Sequence, residues 1–146
     1  MNDVKKVALD GLSNDKFWKV FPQRLIYSPL PTDFYKWELF TDFYVSAPSW
    51  QGVIPVGFIT DLASVPKIFW GIFPPQGFYE EACVAHDWLY SRTVLPRQVC
   101  DQVLKEGMEA AGTPWLTTNI IWGMVRLFGW IPYNRHYKKN KLAQGR

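Results

Sequence analysis

The hydrophobic pattern of this chain changes period near residue 61, and that change restricts the folds open to it. Before it, Trp37, Leu39, Thr41, Phe43 and Val45 interleave with Lys36, Glu38, Phe40, Asp42 and Tyr44. A period of two puts the two sets on opposite faces of a strand. Pro29, Pro31, Pro48 and Pro55 punctuate the same stretch. Proline cannot donate to a sheet ladder, so strands here are expected to be short and often at edges. Leu25 to Tyr27 and Val53 to Thr60 are the other strand candidates, and a small antiparallel meander is the simplest assembly.

From Asp61 onward the pattern is helical. Asp61 and Ser64 suit N-cap positions, and Lys67 to Phe73 predicts a short helical turn stopped by Pro74-Pro75. Phe78 to Arg92 predicts a longer helix. Pro96 fits the first position of another, running through Val99, Cys100, Val103, Leu104 and Met108 until Gly112 and Pro114. A third spans about Pro114 to Phe128, with Ile120, Ile121, Met124, Val125 and Phe128 apolar. The expected fold class is α+β: a small N-terminal antiparallel β-sheet packed against about three C-terminal helices. A length of 146 residues suits a single domain that buries a core without staples. Within it we distinguish an N-terminal arm (1–24), a β-rich part (25–60), a helical part (61–130) and a basic tail (131–146).

The two cysteines, Cys83 and Cys100, lack the spacing of a zinc site or a disulfide framework and read as reduced core residues. Residues Met1 to Lys6 lack the apolar run of a signal peptide. No stretch reaches the roughly 18–20 apolar residues that span a bilayer; Ile120 to Ile131 is short and contains Arg126. No transmembrane segment is expected, and synthesis in the cytoplasm is.

Charge and aromatics point to a partner. After Glu109 the chain has no acidic residue, but it has Arg126, Arg135, Lys138, Lys139, Lys141 and Arg146. With aromatic residues at 17% of the chain, such a terminus suits a docking surface for an anionic partner: nucleic acid, a lipid surface or an acidic protein face. A solvated basic tail is the plainer alternative.

Polar residues stand out inside apolar surroundings in two places, Thr60-Asp61-x-x-Ser64 and His86-Asp87-x-x-Tyr90. Polar groups so placed either satisfy one another or do chemistry. On a helix Tyr90 lies near both His86 and Asp87, while these two diverge by about 100° and do not form a dyad with each other. Asp101, on the flank of the next helix, can hydrogen-bond the imidazole of His86 and fix its tautomer. The candidate catalytic residues are therefore His86, Asp87, Asp101 and Asp61, with Thr60, Ser64 and Tyr90 positioning substrate. Asp61, His86 and Asp87 offer a mixed oxygen and nitrogen set for a divalent cation such as Zn, Mg, Mn or Ca. Two histidines cannot build a three-histidine site, and the upstream His of an HD-type phosphohydrolase is absent. Structural readings stand beside these: Asp61 as an ordinary N-cap, Asp101 as a first-turn Asp favouring the helix dipole, and His86 as a buried histidine, while His136 reads as a surface residue with a binding role open to it.

Cys83-Val84-Ala85-His86-Asp87-Trp88-Leu89-Tyr90 locally resembles the active helix of secreted phospholipase A2 in its Cys, His, Asp and Tyr spacing. That likeness implies His86 as general base, Asp87 as calcium ligand and a later Asp orienting the His. Leu89 stands where that family has a disulfide cysteine, and the calcium-loop glycines are missing.

Taken together, Gly57-Phe58-Ile59-Thr60-Asp61-Leu62-Ala63-Ser64-Val65-Pro66, Pro74-Pro75-x-Gly77-x-Tyr79-x-x-Ala82, His86-Asp87-x-Leu89-Tyr90, and Arg97 with Asp101 resemble the phage and prophage family known as domain of unknown function 1353. The likeness covers roughly residues 25 to 130. It implies a bacteriophage or prophage origin, hence location in the host cytoplasm or on the virion, and supplies no activity. Chemistry then offers two main expectations. One is a small His/Asp-based hydrolase, metal-dependent if the carboxylates hold a cation, acting on a cell-envelope or nucleotide substrate. The other is a non-catalytic virion or tail component, assembly factor or host-factor inhibitor, in which the same residues form a structural polar network. Nucleic-acid binding through the basic C-terminus is a third.

Overall fold

A computed structural model describes residues 15–62, 71–72 and 79–145. The fold is α+β, strands first and helices after, as the change of period requires. A short helix α1 (Asp15–Val20) leads into β1 (Tyr27–Leu30), β2 (Asp33–Leu39), β3 (Phe43–Ala47), β4 (Trp50–Ile54) and β5 (Ile59–Thr60). Four helices follow: α2 (Glu80–Arg92), α3 (Arg97–Ala110), α4 (Trp115–Phe128) and α5 (Trp130–Gln144).

The strands form two antiparallel units rather than one meander. β1, β2 and β5 make a three-stranded sheet with β2 in the middle, and β3 with β4 makes a hairpin. The alternation read across residues 36–45 is interrupted at Phe40–Asp42, where the chain leaves one sheet for the other. Parity survives the break: Trp37, Leu39, Phe43, Val45 and Ala47 are all buried, while Thr41, at the corner, is exposed. β5 then returns to pair Thr60 with Trp37, which brings the Thr60-Asp61 pair against the helices.

α2 is the central helix. Ala82, Cys83, Val84, Ala85, His86, Leu89 and Tyr90 are buried, covering most of its circumference, as expected of a helix surrounded by other elements. It packs on α3, α5 and β5. α3 offers Cys100, Val103, Leu104, Gly107 and Met108 at the spacing of a single face. A Cβ on Gly107 would lie 2.8 Å from the Cβ of Ala82, so glycine sets how closely α2 and α3 approach. Phe21, just after α1, stacks on Phe43 with centroids 5.7 Å apart and ties the hairpin to this core. Cys83 and Cys100 are both buried, and burial pushes the Cys100 thiol up to about 12.

Two elements depart from expectation. Residues 15–20, inside the expected N-terminal arm, are helical, and the basic segment 131–146 is α-helical from Trp130 to Gln144. Glycine and proline, here Gly129 and Pro132, commonly mark the end of a helix. Pro132, however, is the third residue of α5, within the first turn, whose N–H groups have no intrahelical acceptor to lose. α5 is held by side chains: Tyr133 Oη donates to Leu95 O (2.7 Å), and Asn140 Nδ2 donates to Ser91 O (2.9 Å) and Thr93 Oγ1 (2.8 Å). The predicted turn at Lys67–Phe73, like Ser64, lies outside the described residues except at Gly71–Ile72.

Candidate functional site

Asp101 is the centre of the site. It sits in the first half of α3 with its side chain fully buried, and donors reach it from three helices. From α2, His86 Nε2 lies 2.8 Å from its Oδ1, and Tyr90 Oη donates to the same oxygen at 2.5 Å. From α3 itself, Arg97 donates to Oδ2 at 3.3 Å, and from α4 Arg126 donates to Oδ2 at 2.6 Å. The His86 and Tyr90 rings lie 4.0 Å apart, one helical turn along α2. Arg97 also donates to the carbonyls of Val125 and Arg126 (both 3.1 Å), capping the C-terminal turn of α4.

These contacts set protonation. Burial alone would raise the Asp101 carboxyl, but hydrogen bonds from His86, Tyr90 and Arg126 outweigh it and hold the group below the usual carboxylate range. Burial lowers His86 below its ordinary 6.5, against the opposing pull of Asp101. The imidazole is therefore neutral at pH 7. With its Nε2–H given to ionised Asp101, the lone pair of the neutral ring falls on Nδ1. Burial and the hydrogen bond to Asp101 raise the Tyr90 phenol, which stays protonated as a donor.

A second polar pair lies one residue further along α2. Thr60 Oγ1 donates to Asp87 Oδ2 at 2.6 Å and accepts the Leu62 N–H at 3.1 Å. Leu62 has φ +54°, a left-handed conformation that costs a side-chain-bearing residue roughly 1–2 kcal/mol. Its side chain is fully buried, which holds the turn. The bend brings Asp61 beside Asp87: the Asp61 backbone donates to the Asp87 carboxylate, and the Asp61 charge repels it. Burial, followed by that repulsion, pushes Asp87 from 3.8 up to about 7 despite the two hydrogen bonds.

Both clusters border one cleft of about 470 Å³. Asp61, His86, Asp87 and Tyr90 lie on one side, and Met124, Phe128, Ile131 and Pro132 supply an apolar wall. Arg135 and His136 complete the rim, and burial with the nearby Lys139 charge lowers the His136 imidazole. Gly129 also lines the cleft, and a Cβ there would fall 2.5 Å from Tyr90 Oη. Glycine at this junction is thus a condition for the Tyr90–Asp101 contact.

The structure brings Asp61, Thr60, Asp87, His86, Tyr90 and Asp101 into one region, as two hydrogen-bonded groups. Ser64 lies outside the described residues. Among the described residues no three His, Cys, Asp or Glu side chains gather as a metal would need. The metal set Asp61, His86 and Asp87 is divided instead, with His86 bonded to Asp101 and Asp87 to Thr60.

Sequence reasoning missed several residues. Arg126 had read as a break in an apolar run and part of the basic patch, whereas it donates to Asp101. Its signal was there: a cation beside the buried Val125 on an apolar helix needs an anion. Arg97, four residues before Asp101, is a helical ion pair by spacing alone. His136, read as surface, lines the cleft, because the segment that carries it folds back as a helix.

No curated protein and no solved structure matches the chain. Residues 37–125, which hold the strands from Trp37 onward, α2, α3 and Asp101, match the family described as Protein of unknown function (DUF1353). With most of its length inside that match, the chain belongs to the DUF1353 family.

Proposed function

We propose that this protein is a small hydrolase of phage or prophage type that cleaves an ester in an amphiphilic cell-envelope lipid, with His86 as general base. One observation carries the reading: the His86 imidazole, with Nε2 2.8 Å from a buried carboxylate, borders an apolar-walled cleft. His86 Nδ1 takes a proton from water, and the resulting hydroxide attacks the ester carbonyl carbon. The tetrahedral intermediate collapses by breaking the carbon–oxygen bond to the alcohol. Asp87, raised to about 7, is a proton source for that leaving oxygen near neutral pH. Asp101 and Tyr90 hold the base, and Arg135 at the rim attracts an anionic headgroup. The wall of Met124, Phe128 and Ile131 favours acyl chains over nucleotides. The local likeness of the α2 motif to secreted phospholipase A2 supports the same roles for His86 and Asp101, and the phage setting rests on the family-like motifs.

A substrate panel tests this: phospholipid vesicles, a short-chain soluble ester, peptidoglycan and nucleotides, offered to the purified chain. Release of fatty acid from the lipid, with nucleotides and peptidoglycan untouched, is the expected result. Turnover of none of them favours a second reading, for which one observation also speaks. Asp101 joins three helices through four donors, the form of a structural lock. On that reading the protein is a non-catalytic virion or tail component, assembly factor or host-factor inhibitor.

A further inference from the structure

α4 buries Thr118, Ile121 and Val125 on its inner side and leaves Leu116, Ile120 and Leu127 exposed on another. These recur at i, i+4 and i+11, a single face. Gly123 falls in the same row, with open space where a Cβ would point. α5 continues the pattern. Tyr133 and Asn140 latch one face to the end of α2 and the loop after it, and the opposite face presents Ile131, Arg135, Lys138 and Leu142, all exposed. Ile131 and Arg135 belong to both features, standing in the exposed row of α5 and lining the cleft, and the half-exposed Phe128 lines the cleft beside them.

We infer that this α4–α5 face is a surface for an anionic phospholipid bilayer, on which the protein lies with the cleft mouth toward the lipid. Charge complementarity decides the occupant. Beyond Glu109 the chain carries Arg and Lys with no Asp or Glu, and Arg135 and Lys138 stand in the exposed row of α5 itself. Aliphatic side chains beside lysines match the acyl and headgroup layers of an anionic leaflet. Trp115, Trp130 and Tyr137 are exposed on the same two helices, and such rings suit the headgroup level of a bilayer, while the aliphatic Leu116, Ile120 and Leu127 offer a nucleic acid nothing to stack on. No helix among the described residues is long and apolar enough to cross a membrane, so lying on the surface is the geometry that remains for this face. For substrate delivery, though not for binding, the inference rests on the hydrolase reading above.

The test is flotation of the full chain with vesicles of phosphatidylcholine alone or mixed with phosphatidylglycerol, at low and high salt. Binding is expected to the mixed vesicles, weakened by salt. Each cation near such a surface contributes about fivefold in affinity, so Lys138→Gln, Lys139→Gln and Lys141→Gln together lower it by roughly 100-fold. Leu116→Ser with Ile120→Ser and Leu127→Ser abolishes binding with an unchanged circular dichroism spectrum, because these side chains are exposed. Equal binding to neutral vesicles, or binding that survives both variant sets, overturns the inference. So does retardation of a DNA or RNA duplex without vesicle binding. A water-soluble short-chain ester separates this claim from the site. The serine variant keeps turnover of that ester and loses turnover of vesicle lipid. Vesicle binding with no ester turnover at all supports the surface and overturns the hydrolase.

Discussion

Asp101 is ionised in the interior because Arg97 and Arg126 face one of its oxygens while His86 and Tyr90 face the other. Removing that charge leaves two guanidinium groups without their anion, and loss of one partner of a buried pair costs about 3 kcal/mol or more. Asp101→Asn is therefore expected to lower the urea midpoint strongly, with a slope close to that of wild type. Three groups of the site contribute to the pH dependence of stability. His86 has a folded pKa below its unfolded 6.5, so the unfolded chain binds more protons and stability is lost as pH falls below that value. Asp101, also lowered, adds a further loss as pH falls below 3.8. Asp87 acts oppositely: raised from 3.8 to about 7, it favours the fold at low pH and withdraws that contribution as pH rises through about 7. Asp87→Asn should therefore gain stability relative to wild type as pH rises from acid to neutral, measured by thermal melts across pH. His86, Asp87 and Tyr90 were legible because helical spacing alone fixes which side chains share a face. Arg126 was not, since its partner lies on another helix and nothing local records the crossing.

Two glycines govern the helix packing that makes the site. Gly107→Ala pushes a methyl into Ala82 across the α2–α3 contact, and Gly129→Ala drives one against Tyr90 Oη and the Val125 carbonyl. Overpacking of this kind costs about 1–3 kcal/mol. Melting temperature should fall for both, and only Gly129→Ala should also move the Tyr90 ring, followed by its NMR signals or fluorescence. Asn140→Ala removes the latch between α5 and the end of α2. Faster amide exchange along α5 is expected, with little change in α3. Strand and helix identities in residues 25–128 were largely readable from period and proline placement. The break between β2 and β3 was not, because burial parity continues across the corner and the alternation shows no slip. α5 was masked by Gly129 and Pro132, residues that stop a helix from within but are tolerated where one begins.

Across the whole molecule, sheet, helices and charge converge on one side. β5 delivers Thr60 and Asp61, α2 delivers His86 and Asp87, and α4 with α5 supplies the apolar wall and Arg135. The sequence located the polar motifs but not the cleft, since the cleft needs α5 folded back and that depends on the Tyr133 and Asn140 contacts made in the tertiary structure. On the hydrolase reading proposed above, His86 works as a base as well as filling the core. Lipid-ester turnover by His86→Gln against wild type, with melting temperatures recorded on the same samples, tests it most directly, because glutamine can still donate to Asp101. A rate lower by about 100-fold or more is expected, at a melting temperature within a few degrees of wild type. An unchanged rate in a folded His86→Gln protein would contradict it and leave the Asp101 network as a structural lock.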